Sequence, residues 1–206
     1  MTELSASVQA PETATPVADP LQQQRIAVYR LLAALLRDVP PPELLAELAA
    51  LESGAQPPPG EGDEWQLLGL AARSSRHDQV DDEYHELFIG LGRGELVPYG
   101  SWYLTGYLME QPLSRLRDDL ARLGFERDAD SHEPEDHVAA LLEVMSMLIE
   151  SGEPRATQAD FFNAHLAPWM PRFFEDLEQA RHAVFFRAVA RIGRQFLELE
   201  SREYPG

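Results

Sequence analysis

From Leu21 onward, apolar residues recur at intervals of three and four. Ile26, Tyr29, Leu32 and Leu36 share one face of a helix that must stop before Pro40-Pro41-Pro42, because an inner helical turn needs the N–H that proline lacks. Leu44, Leu45, Leu48 and Leu51 predict a second helix over Glu43–Leu51, closed by Pro57-Pro58-Pro59-Gly60. Asp63 opens a third, carrying Trp65, Leu67, Leu68 and Leu70. Asp81–Ile89 reads as a fourth, with Tyr84, Leu87 and Phe88 on one face. Ser101–Met109 reads as a short aromatic helix, and Pro112 can open the next, which runs to Leu123 with Gly124 as its C′ residue. Along Pro134–Ile149, one broad side is apolar (Val138, Leu141, Leu142, Met145, Leu148, Ile149), which predicts a central core helix. Gln158–Leu166, Phe173–Ala180 and Ala183–Leu199 complete the set, the last carrying the stripe Phe185, Val189, Ile192, Phe196 and Leu199. No stretch alternates with the period of a strand, and no fixed-period repeat is present. The predicted fold is all-α: a single globular helical domain of about nine or ten short helices.

Residues 1–20 are rich in Ser, Thr, Ala and Pro and bury too little apolar surface to offset their ordering entropy, so they read as a flexible tail. Residues 127–133 are polar, with no apolar side chain larger than Ala129, and read as a hinge. It separates an N-terminal helical region (21–126) from a C-terminal one (134–206). A chain of 206 residues is long enough to fold on its core alone. It has no cysteine, which excludes disulfides, a thiolate nucleophile and Cys-held metal centres. All 17 basic residues are arginine, against 35 acids, for a net charge of −18. Such a chain is a poor binder of nucleic acid, whose affinity comes from neutralised phosphates, and suits a basic partner. The absence of lysine removes Schiff-base chemistry. No basic segment precedes an apolar one at the start, and no long apolar run exists. The expectation is a cytoplasmic protein without stable membrane insertion.

His132-Glu133-Pro134-Glu135-Asp136-His137 concentrates two imidazoles and three carboxylates. A zincin site needs its first His and Glu inside a helix. Pro134 is tolerated only in a first turn, so His132 and Glu133 precede the helix and that geometry fails. The plain reading is a helix start with Glu135 and Asp136 in its first turn; another is that Asp136 and His137 face a binding groove. A metal-dependent hydrolase centred on His132, Asp136 and His137, or an acidic adaptor, remain the alternatives. Gly90-x-Gly92-x-Gly94 lacks the strand–turn–helix context of a phosphate loop, and Ser101 sits on no nucleophile elbow. No cofactor is expected. Pro98-Tyr99-Gly100-Ser101-Trp102-Tyr103, with Tyr107, is dense enough in rings to line an apolar peptide groove, or to be core.

Tyr84-x-x-Leu87-Phe88-x-Gly90, Pro98-Tyr99-x-Ser101-x-Tyr103 and Glu133-Pro134-x-Asp136-His137, in that order and spacing, resemble the signature of the TorD/DmsD/NarJ family of redox enzyme maturation chaperones. The resemblance extends from about Leu21 to Leu199. It implies a chaperone without catalysis that binds the twin-arginine signal peptide, or N-terminal segment, of a molybdenum-cofactor oxidoreductase large subunit until cofactor insertion and export. By motif matching it implies Tyr84, Leu87, Phe88, Tyr99, Ser101, Trp102, Tyr103, Asp136 and His137 as peptide-binding residues, and a monomer or a helix-swapped dimer. Gly100 departs from the larger residue many relatives carry. Most of the acidic excess lies in residues 1–130, on the side of the aromatic cluster, which suits a cationic leader.

Overall fold

A computed structural model describes residues 19–51, 63–90, 94–126 and 133–206. Residues 1–18 of the predicted tail and 127–132 of the predicted hinge, His132 included, lie outside the described residues. The helices are α1 (Pro20–Arg37), α2 (Pro42–Ala49), α3 (Asp63–Ser74), α4 (His77–Tyr84), α5 (Gly100–Thr105), α6 (Gln111–Arg122), α7 (Val138–Glu150), α8 (Arg155–His165), α9 (Met170–Gln179) and α10 (Phe185–Glu203). A π-helical turn, His85–Ile89, continues α4. Among the described residues there is one isolated β-bridge and no strand, so the fold class expected from the spacing is the one adopted.

The apolar side predicted on α7 is its core face. Leu141, Leu142, Met145, Leu148 and Ile149 are buried there, and α1 lies along this helix. At the other end α10 packs on α9 and α3, where Phe173, Phe174, Phe185 and Phe186 are fully enclosed. Each such side chain contributes roughly 1.5–3 kcal/mol by leaving water.

Two polar pins join distant segments. Arg25 on α1 donates from Nε and Nη2 to the two carboxylate oxygens of Glu200 on α10, both at 2.7 Å. Tyr29 donates to the same carboxylate at 2.7 Å, and Tyr204 donates to Gln158 while accepting from Arg25. Burial opposes the charge on Arg25, but Glu200 outweighs it and raises the guanidinium pKa further. The second pin is Glu83. The first N–H groups of α10 have no side-chain cap of their own; Val184, Phe185 and Phe186 donate instead to the Glu83 carboxylate at 2.8, 3.0 and 2.8 Å.

The element boundaries differ from the periodicity in several places, among them an α8 that spans Arg155–His165 rather than Gln158–Leu166. Helix α4 begins at His77 rather than Asp81, because the Gln79 side chain accepts from the Arg76 N–H at 3.0 Å and secures a polar first turn. Helix α5 ends at Thr105, not Met109, because Gly106 turns left-handed at φ 82°. Helix α7 starts at Val138, not Pro134: the intervening residues form a turn that serves another element. Helix α9 starts at Met170 with Pro171 in its first turn, where a missing N–H costs nothing. Helix α10 continues to Glu203, since Glu200 is held by the ion pair to α1.

Candidate functional site

Two sequence segments that are far apart along the chain meet at a two-residue junction. Tyr99 and His137 form the antiparallel bridge. Gly100 N–H donates to the Asp136 carbonyl and Val138 N–H to the Pro98 carbonyl, both at 2.9 Å. Around this bridge the side chains exchange helix caps. Asp136 Oδ2 accepts from the Ser101 N–H of α5 at 2.7 Å, a service that the Tyr99 side chain at the N-cap position cannot supply. His137 is the N-cap of α7, its Nδ1 accepting from Ala139 N–H at 3.3 Å. That bond needs an unprotonated Nδ1, and burial also holds the imidazole below its ordinary pKa. Tyr99 donates to Glu133 at 2.8 Å and packs edge-on against His137 at 5.1 Å; burial, then Glu133, raises the phenol's pKa. This is why Pro134–Asp136 is a turn and not the first turn of α7.

The bridge segment separates two cavities, and the adjacent residues Asp136 and His137 line different ones. Glu133, Pro134, Glu135 and His137 line a cleft of about 480 Å³. Its floor is Leu120, Ala121 and Phe125 from α6 and the residues after it, with Ala140, Val144 and Met147 of α7. Its rim carries Glu126, Glu133, Glu135 and Glu143 against Arg37 and Arg117. Arg37 is already bonded to Glu143 at 3.0 Å and Arg117 to Glu135 at 2.9 Å, so the uncompensated charge at the rim is negative. Asp136 faces the other way, into a cavity of about 270 Å³ that Ser101, Leu104, Leu116, His165 and Trp169 also line.

The nine peptide-binding candidates do not form one groove. Tyr99, Ser101, Asp136 and His137 meet at the junction. Tyr84 and Leu87 are buried in the core, and Phe88 is half-buried against Tyr84 and Phe186 at ring distances of 5.0 and 5.6 Å. Trp102 and Tyr103 line a separate hollow with Arg172 and Asp176, where Tyr103 packs on Trp169 at 5.5 Å. Gly100 has a reason of its own: a Cβ there would lie 3.1 Å from Trp169 Nε1, so the Trp169 indole occupies the space a larger residue would take. Asp136 and His137, the described members of the metal alternative, line different cavities. Among the described residues no three His, Asp or Glu side chains converge on a metal position.

Sequence reasoning missed the cleft floor. The available signal was the width of the apolar side of α7: Met147 sits beyond the core stripe and is 39% exposed. It also missed Arg37, Arg117 and Glu143, which long-range folding brings to the rim.

Comparison with known proteins gives a consistent picture. The sequence profile described as nitrate reductase delta subunit matches residues 55–175. The chain is 29% identical over 152 residues to the chaperone protein TorD of Aliivibrio salmonicida, covering 68% of this chain and 71% of that one. It is 25% identical over 187 residues to the TorD chaperone of Actinobacillus pleuropneumoniae serotype 3, covering 85% and 94%. A solved structure described as a candidate redox enzyme maturation protein from Archaeoglobus fulgidus shares the fold at a TM-score of 0.56 and 19% identity, covering 91% of this chain and 99% of that one. Among the described residues no helix is long and apolar enough to cross a membrane.

Proposed function

The chain belongs to the nitrate reductase delta subunit family, the TorD/DmsD/NarJ group of redox enzyme maturation chaperones, and from that premise we propose that it binds the twin-arginine signal peptide, or the N-terminal segment, of a molybdenum-cofactor oxidoreductase in the cytoplasm. It holds that segment until the cofactor is inserted and the enzyme is exported, and it performs no catalysis. The observation that carries this reading is the 480 Å³ cleft beside His137, apolar at its floor and negative at its rim. Its size lies within the roughly 300–1,000 Å³ of ligand sites.

The two halves of such a leader match the two parts of the cleft. The apolar stretch gains by covering Leu120, Phe125, Val144 and Met147, at ~25 cal/mol per Å² before ordering costs. The cationic end is drawn by the net charge of −18 and by the rim carboxylates, an attraction that salt screens. The burial of Tyr84 and Leu87 supports a structural role for them, Tyr84 packing against Phe186 of α10. Trp102 and Tyr103 lie outside the cleft and would touch only a longer peptide.

The test is titration with a twin-arginine leader peptide by calorimetry. Replacing both arginines by alanine, or raising salt, weakens binding. Met147→Glu weakens it further by placing a charge on the apolar floor. Equal affinity of the arginine and alanine peptides at low salt, or an unchanged affinity in Met147→Glu, would overturn the assignment of this cleft.

A further inference from the structure

The cavity on the far side of the bridge contains an unmet demand for hydrogen-bond donors. Asp136 is 3% exposed and Ser101 is 0% exposed. Asp136 Oδ2 is occupied by the Ser101 N–H, but Asp136 Oδ1 and the Ser101 hydroxyl have no partner among the described residues. Both residues line the same 270 Å³ space. A buried carboxylate oxygen left without a donor costs more than a neutral group in the same position, and folded proteins rarely retain two such atoms on residues of one cavity unless something completes them.

The rest of the lining says what that is. Leu104, Pro112, Leu116, Leu141 and Ala164 are apolar, and Trp169 adds an aromatic residue to the lining. The other carboxylate present, Asp119, is already spent: it accepts from His165 at 2.6 Å and pairs with Arg122. Arg115 also reaches the cavity, but it is exposed, so water screens its charge while that of Asp136 is sheltered. The occupant must therefore bring positive charge and at least two donors, with a body that tolerates an apolar, partly aromatic wall. A guanidinium does this better than an ammonium, being planar, weakly hydrated and able to direct parallel N–H groups while lying against an indole.

We propose that this cavity is a guanidinium-binding pocket, in which Asp136 Oδ1 and Ser101 Oγ accept from one arginine side chain of the client segment. The identity of the arginine rests on the function proposed above; the pocket's preference for guanidinium does not. Because Asp136 and His137 are adjacent on the bridge, an arginine in the pocket and an apolar residue in the cleft would clamp the segment from both sides.

The experiment uses two probes on the full chain. N-acetyl-arginine amide is titrated while the Trp169 indole resonance is followed by NMR, with N-acetyl-lysine amide as the comparison. A saturable shift is expected with arginine, about tenfold weaker with lysine. Asp136→Asn weakens it about tenfold or more, and Ser101→Ala severalfold. Ser101→Ala should leave the thermal midpoint unchanged or raised, since it removes an unpartnered buried hydroxyl, and so it remains informative if Asp136→Asn folds poorly. The leader peptide is the second probe. If it binds wild type and both variants equally, the pocket is refuted and the cleft stands. If arginine amide binds in the pocket while the leader does not bind at all, the pocket stands and the function proposed above fails. Absence of any shift with arginine amide, or equal affinity for the lysine compound, overturns the proposal.

Discussion

Glu200→Gln removes the negative half of the buried pair between α1 and α10 and changes its volume very little. Arg25 is 7% exposed and Glu200 2% exposed. The wild-type carboxylate accepts two guanidinium bonds and the Tyr29 hydroxyl, all at 2.7 Å. A neutral amide keeps one acceptor and turns two donors toward Arg25, leaving a guanidinium in the interior with no counter-charge. Breaking one side of a buried pair costs about 3–5 kcal/mol, a large share of a total stability of roughly 5–15 kcal/mol. For a domain of this size that corresponds to a fall in Tm of roughly 6–20 °C. Urea unfolding followed by far-ultraviolet circular dichroism measures it directly. The double variant Arg25→Met/Glu200→Leu should recover most of the loss, because two apolar side chains replace two desolvated charges. A loss below about 1 kcal/mol in Glu200→Gln, the range of exposed pairs, would refute the reasoning. So would a double variant less stable than the single one. Neither residue lines the cleft, so leader binding should be unaffected wherever the protein remains folded.

Two further outcomes are expected. In Gly193→Ala the new Cβ would sit 2.2 Å from Phe174 Cε1, and Phe174 is fully enclosed, so overpacking should cost about 1–3 kcal/mol or more; an unchanged urea midpoint would mean that α9 and α10 can separate freely. His137 has its pKa lowered by burial, so the unfolded chain takes up a proton at the ordinary value of about 6.5 while the native chain resists it. Its contribution to stability is therefore complete above that pH and is lost as pH falls through the native pKa. Subtracting the Tm-against-pH curve of His137→Gln from that of wild type isolates this step, and a flat difference would show that the imidazole is not held neutral.

The helices were legible because each amphipathic stripe is a local property. Val138, Leu141, Leu142, Met145, Leu148 and Ile149 announce a core face whatever they pack against, and the structure buries all of them. The start of α7 was not legible, because it depends on Asp136 capping α5, a partner 35 positions away in sequence. The aromatic density at 98–103 was equally visible, but density does not say which rings face outward. The packing of Trp169 against Gly100 and Tyr103 decides that.

Spacing and composition by themselves determined an all-α chain with a strong negative charge and no cysteine chemistry, since those follow from residue types and from a helical period of 3.6. The ordered motifs further pointed to the chaperone family. Only the tertiary structure decided that Asp136 and His137 serve opposite cavities and that the cleft floor comes from α6 and α7. It also decided that Glu83 and Glu200 act as pins rather than as solvated charges. The reason is physical: helix formation is fixed by neighbours a turn apart, whereas burial, capping across the chain and the partners of a charge are fixed by which surfaces meet.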